Sequence, residues 1–222
     1  MNEYRVIEIK ESVFEDNNKD AAKLRKELKD EGTFLLNLMS SPGAGKTTTL
    51  VKTIAELKDQ LNIAIMEADI DSDVDAATIS NTGTKVIQLH TGGMCHLDAD
   101  MTRQGIRALD AKHTDLVVLE NVGNLVCPAE FDTGSTKNAM ILSVPEGDDK
   151  PLKYPLMFQI SDALVINKID VLDYFDFDLE ACISRVKKLN PNIKIFPVSA
   201  KTGEGIKEWA NWLLEEVNKA KN

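Results

Sequence analysis

Six short apolar runs set the rhythm of the chain: Phe34–Met39, Ile63–Met66, Lys85–Leu89, Leu116–Leu119, Ala163–Ile166 and Ile193–Val198. Each is nearly continuous rather than alternating, which is the pattern of a strand covered on both faces, as in a parallel sheet flanked by helices. Between them, Thr47–Leu61, Asp98–Lys112, Leu179–Leu189 and Gly203–Lys219 repeat apolar residues at helical spacing. The alternation predicts an α/β fold, a doubly wound, mostly parallel sheet with helices on both faces. Ahead of the first run, Asp20–Asp30 puts Ala21, Leu24 and Leu28 on one side of a short helix that Gly32 would stop. Met1–Gly32 is therefore set apart as an N-terminal helical appendage, and residues 33–222 as the main domain. Gly123–Tyr154, with Pro128, Pro145, Pro151 and the turn Gly147–Lys150, reads as an irregular stretch of the kind that is functional or mobile.

Composition narrows the partners. The 222 residues hold 26 basic and 36 acidic side chains, a formal charge of −10, and no Lys/Arg cluster offsets it, so nucleic acid is not an expected partner. No apolar stretch approaches the roughly 20 residues of a membrane helix. Met1–Lys10 contains two glutamates and lacks the apolar centre of a secretory signal, so a cytoplasmic protein without membrane contact is expected. Three cysteines do not form a disulfide framework. They are expected to be reduced, which leaves them available to metal.

The first apolar run leads directly into Ser40-Ser41-Pro42-Gly43-Ala44-Gly45-Lys46-Thr47-Thr48. Strand, glycine turn and Gly-Lys-Thr are the parts of a phosphate-binding loop, and make this a P-loop NTPase fold. Gly43, Ala44 and Gly45 would turn backbone N–H groups toward phosphate oxygens, Lys46 would bring a charge to the β and γ positions, and Thr47 would offer its hydroxyl to Mg2+. Ser40 stands where the pattern commonly has glycine. Leu116–Leu119 ends in Glu120, placed to hold Mg2+ directly or through water, and Gly123 follows where a bare N–H could meet a γ-phosphate. Five carboxylates crowd Glu67-Ala68-Asp69-Ile70-Asp71-Ser72-Asp73-Val74-Asp75. Such density needs water or a cation, and the pattern alone does not say which of the five would face Mg2+.

Two later strand ends supply a base pocket. Asn167-Lys168-Ile169-Asp170 and Ser199-Ala200-Lys201 fall where ligands of such sheets bind. Asp170 could accept both N1–H and the 2-amino group of guanine, whereas adenine would set a lone pair against it, a basis for strong discrimination. Lys168 and Lys201 would lie along base and ribose, Asn167 would tie the loop to the phosphate site, and the Ala200 N–H would meet guanine O6.

Cys95-His96 follows the third apolar run and Cys127 the fourth. Two thiolates and an imidazole suit Zn2+ or Ni2+, yet the spacing is not that of a zinc finger, and buried cysteines beside a loop histidine fit equally well. Three ligands leave a tetrahedral site open, for water, a shared thiolate or a second subunit. Cys182, among Ala181, Ile183 and Val186, reads as a core thiol. Met94 reads as a gap filler, and His90 and His113 as ordinary residues.

Three segments together, Ser41–Thr48, Glu120-Asn121-Val122-Gly123-Asn124-Leu125-Val126-Cys127-Pro128 and Gly93-Met94-Cys95-His96-Leu97, resemble the HypB family of GTPases that assist nickel insertion into nickel-iron hydrogenases. The resemblance runs from about Phe34 to the C-terminus, and the switch ending in Cys-Pro is its most specific part. It implies a GTP-favoured homodimer, Zn2+ or Ni2+ at Cys95, His96 and Cys127 near the subunit interface, and Asp75 as a switch residue near Mg2+ beside Thr47 and Glu120. It also implies a nickel-accessory protein and the hydrogenase large subunit as partners. Met1–Gly32 holds neither the Cys-rich motif nor the His-rich tract of some relatives, so a separate tight nickel site and a storage role are not expected. The alternatives are a urease-type nickel accessory GTPase and a metal-bound structural or storage module. Neither an efficient general base nor an arginine finger is visible in the phosphate loop or switches, so slow turnover is expected.

Overall fold

Side chains alternate across a strand, and here both sides find cover. The computed structural model describes residues 5–8, 14–69, 74–110 and 113–221. In chain order it contains β1 (Arg5–Glu8), α1 (Phe14–Asp30), β2 (Phe34–Ser40), α2 (Lys46–Leu57), β3 (Ile63–Asp69), α3 (Val74–Ser80), β4 (Lys85–His90), α4 (Ala99–Leu109), β5 (Leu116–Glu120) and α5 (Cys127–Glu130). Then follow β6 (Lys137–Ser143), α6 (Lys150–Lys153), α7 (Pro155–Ile160), β7 (Ala163–Asn167), α8 (Leu179–Leu189), β8 (Lys194–Pro197) and α9 (Ile206–Ala220). The strands form one sheet in the order β1-β4-β3-β5-β2-β6-β7-β8, with every pairing parallel.

Leu36, Leu38, Ile65, Val118 and Ile141 point to the face covered by α2, α3 and α9. There Trp209 of α9, 2% exposed, donates its indole N–H to Thr53 of α2 at 2.9 Å, which satisfies the polar edge of a large buried ring. On the opposite face Leu35, Met66, Leu89 and Leu119 pack beneath α1 and α4, and Met39, Met140, Leu164 and Ile166 beneath α7 and α8.

Two segments differ from the sequence expectation. The Gly123–Tyr154 stretch contains a central strand, β6, hydrogen-bonded between β2 and β7, with Ala139–Ser143 fully buried. Its apolar run is as short as that of Ile63–Met66, and its proline- and glycine-rich flanks hide it. The Met1–Gly32 segment supplies the edge strand β1 beside β4 and a helix that starts at Phe14 rather than Asp20. Ala21, Leu24 and Leu28 of that helix are at most 2% exposed, and burying each leucine contributes about 1.5–3 kcal/mol.

An asparagine ladder crosses the sheet beneath the site. Asn121 Nδ2 donates to Asn37 Oδ1 at 3.0 Å, and Asn37 Nδ2 donates to Asn138 Oδ1 at 3.0 Å. The Asn121 side chain also accepts from the Val122 N–H at 2.9 Å, fixing the start of the loop after β5.

Candidate nucleotide and metal sites

The carboxyl ends of the central strands gather the predicted chemistry on one edge, the ligand-binding edge of an open α/β sheet. The phosphate loop leaves β2 and enters α2 through Gly45, whose φ of 93° suits glycine alone. A Cβ at Gly45 would also come within 2.5 Å of Asn167 Nδ2, so the turn is glycine for reasons of space as well. The last residue of β7, Asn167, is 1% exposed. Its Nδ2 donates to the Ala44 carbonyl at 2.9 Å, while its Oδ1 accepts from the N–H groups of Lys168 at 2.8 Å and Ala200 at 3.1 Å. One amide thus binds three loops together. Lys168 Nζ donates to the Gly43 carbonyl at 2.7 Å, and Ser199 Oγ donates to Asp170 Oδ1 at 2.7 Å, which orients that carboxylate. Gly45, Thr48, Lys168, Asp170, Ala200 and Lys201 line a hollow of about 250 Å³.

Beside it lies an acidic pocket. Glu120 ends β5, is wholly buried, and one of its oxygens lies 3.5 Å from the Thr47 hydroxyl. Glu67 is its register partner on β3. Carboxylate oxygens of Glu67, Asp75 and Glu120 all lie within 4.8 Å of one another, and Glu67 Oε2 and Glu120 Oε2 are buried without a hydrogen-bond partner. Burial, and then the neighbouring Glu120 charge, push the Glu67 carboxyl up to about 9. Burial raises Glu120 to about 7, opposed chiefly by the Lys46 ammonium. Two unpartnered carboxylate oxygens, one on Glu67 and one on Glu120, with Asp75 close by and the Thr47 hydroxyl beside Glu120, are a donor set suited to a hard divalent cation. Sequence reading names Glu67 in the acidic run without choosing it. Only the β3–β5 register singles it out. Asp71 and Asp73 lie outside the described residues.

The third cluster sits on the loops after β4 and β5. Cys95 and Cys127 sulfurs are 2.7 Å apart, and Cys95 Sγ is 3.9 Å from His96 Nδ1, so the two thiols are in contact and the imidazole lies beside Cys95. The His96 ring stacks on Phe131, with centroids 3.5 Å apart, and is 4% exposed. Cys182 is fully buried and its thiol is pushed up to about 12 by burial, as a core residue should be. Met94 packs against the core beneath α4.

Comparison with known proteins identifies the family and the fold. Residues 34–197 match the model of the CobW/HypB/UreG nucleotide-binding domain. The hydrogenase maturation factor HypB of Azotobacter chroococcum is 46% identical over 213 residues, 96% of this chain and 70% of that protein. The chain belongs to the HypB family. The Escherichia coli HypB is 45% identical, again over 96% of this chain and 73% of its own length. Among solved structures, HypB from Archaeoglobus fulgidus superposes with a TM-score of 0.86 at 35% identity, covering 92% of this chain and all of that one. HypB from Helicobacter pylori, solved in complex with nickel, gives 0.87 at 37% identity, covering 93% and 97%. The signal recognition particle receptor FtsY from Elizabethkingia anophelis, 14% identical with a TM-score of 0.54, shares the fold alone. Like other HypB members, the chain carries a nucleotide-binding domain of P-loop type. Among the described residues no helix is long and apolar enough to cross a membrane.

Proposed function

We propose that this HypB-family chain binds GTP with Mg2+, hydrolyses it slowly to GDP and phosphate, and uses the cycle to control a nickel site during hydrogenase maturation. The reading rests above all on one loop: Glu120, with a buried oxygen lacking any partner, begins it at the phosphate end, and Cys127, in contact with Cys95, ends it. Lys46 and the amides of Gly43–Thr47 would hold the phosphates. Thr47, Asp75 and Glu120, joined by Glu67, would hold Mg2+, which supplies charge neutralisation at the β and γ oxygens. Asp170, oriented by Ser199, would accept from the guanine edge, with Lys168, Lys201 and the Ala200 N–H around the base. Gly123 would offer its N–H to the γ-phosphate and thereby register whether GTP or GDP is bound.

Cys95, His96 and Cys127 would carry the transported ion, nickel by the likeness to the Helicobacter pylori structure, with zinc a competitor of the same ligand preference. Three ligands leave a position for a second subunit. Exposed Val126 and Leu156, at 48% and 42% on the contacting α5 and α7 region, support a GTP-favoured homodimer beside that site. A nickel-accessory protein and the hydrogenase large subunit are the proposed partners, in the cytoplasm. Delivery to urease is a second reading, favoured by a Helicobacter pylori relative 38% identical over 95% of this chain, which is named a hydrogenase/urease maturation factor.

The test is a nickel and zinc titration of metal-free protein with GDP or a non-hydrolysable GTP analogue, with mass followed by light scattering. Metal should bind more tightly in the GTP-analogue state, in step with dimer formation, by a coupling of about 1–3 kcal/mol. Equal affinities in both states across the dimerisation range would overturn the switch.

A further inference from the structure

A short path joins the phosphate loop to the metal sulfurs, and one side chain on it has no part in the reading above. Gly123 lies against the phosphate loop, where an added Cβ would come within 3.2 Å of Pro42 Cγ and backbone N. The next residue, Asn124, uses both ends of its amide on the segment ahead. Its Oδ1 accepts from the Val126 N–H at 2.7 Å and from the Cys127 N–H at 3.3 Å. Its Nδ2 donates to the Cys127 sulfur at 3.4 Å.

The two halves of that amide do different jobs. The oxygen closes a turn of the kind asparagine forms with its own backbone two and three residues on, and this removes the freedom that would let residues 124–127 absorb a displacement of Gly123. The nitrogen aims an N–H at a sulfur that bears negative charge whenever it ligates a metal. Such outer partners orient a ligand and set how strongly it holds the ion.

We infer that Asn124 is a positioning residue that transmits the nucleotide-dependent position of Gly123 to Cys127 and strengthens the Cys127 sulfur as a ligand for a soft divalent cation. The inference rests on the nucleotide and metal sites proposed above. It assigns the transmission to a single side chain within the switch segment.

Two measurements on the full chain separate it from that reading. In the first, metal-free reduced protein is treated with iodoacetamide in the GDP and GTP-analogue states, and alkylation of Cys127 is timed by peptide mass spectrometry. The unmodified protein should differ severalfold between the two states, and Asn124→Ala should erase the difference. Asn124→Ser, whose shorter hydroxyl keeps a turn-forming acceptor but does not reach the sulfur, should retain much of it. In the second, nickel alone is titrated and its sulfur-to-metal charge-transfer absorption followed, and Asn124→Ser should bind about 10- to 100-fold more weakly than the unmodified protein. GDP affinity and melting temperature serve as the check on folding. Unchanged nucleotide dependence of alkylation in Asn124→Ala overturns the transmitting role, and unchanged nickel affinity in Asn124→Ser overturns the strengthening role. Failure of the unmodified protein to bind nickel overturns the metal site and the strengthening with it, while the alkylation measurement, made without metal, still decides the transmission.

Discussion

Replacing Asn167 by alanine isolates the joint on which the hollow proposed as a base pocket depends. The substitution deletes three hydrogen bonds, to the Ala44 carbonyl, the Lys168 N–H and the Ala200 N–H. Ala44 and Ala200 are 0% and 3% exposed, so their stranded groups cannot turn to water, whereas the half-buried Lys168 N–H recovers part of its loss. Each buried unsatisfied group costs about 1–3 kcal/mol, and two of them at the middle of the range with some local relaxation give about 3 kcal/mol. In a domain of this size each kcal/mol lowers the melting temperature by about 2–4 °C, so Asn167→Ala should melt about 6–12 °C lower in the absence of nucleotide. The same amide holds three loops that line the hollow proposed for the guanine base, so affinity for a fluorescent GTP analogue should fall about tenfold, about 1.4 kcal/mol, beyond any loss from unfolding. Calorimetry and a binding titration at a temperature where both proteins are folded read the two effects separately. A melting shift under about 2 °C with unchanged affinity would show that the three loops keep their arrangement without Asn167.

Three further outcomes follow from the site. Asp170→Asn should weaken GTP binding by about 1–3 kcal/mol and xanthosine triphosphate should recover part of the loss; equal binding of ATP and GTP by the unmodified protein would refute the guanine assignment. Glu120→Gln should leave GTP binding nearly intact and slow phosphate release in single-turnover assays, because its contribution is greatest in the transition state, and an unchanged rate would remove it from the cation site. Glu67 and Glu120 have raised pKa values of about 9 and about 7, so the folded chain holds more protons than the unfolded one above the ordinary carboxylate range. Stability without Mg2+ should therefore decline as pH rises from about 5 through 7 toward 9. Glu67→Gln should flatten that decline in thermal melts, and an equally steep slope in the variant would contradict the burial argument.

Much of this was legible in the residues, and the gaps have physical causes. Near-continuous apolar runs between helical stretches mark buried parallel strands, so β2, β3, β4, β5, β7 and β8 fall where expected. The phosphate loop is legible because its glycines and lysine must be contiguous. β6 escapes because a four-residue apolar core is not distinctive between prolines and glycines. β1 escapes because a four-residue edge strand takes its place from its partner rather than from its own pattern. Glu67 escapes for a similar reason: in a strand buried on both sides alternation carries no information, and its closeness to Glu120 is a property of the pairing between strands. The meeting of Cys95 with Cys127 is likewise set by the two loops, 32 residues apart, which no local spacing encodes.

The asparagine ladder under the site bears on how the family can vary. Asn37, Asn121 and Asn138 occupy three neighbouring strands or their ends, and each amide completes another. Any one of them changed to an apolar residue strands a buried partner, and a slip of one residue between β2 and β6 would turn Asn37 away from its neighbour. The three positions are therefore a single unit of inheritance, open to joint replacement but closed to stepwise drift. An alignment of relatives should show them retained or exchanged together.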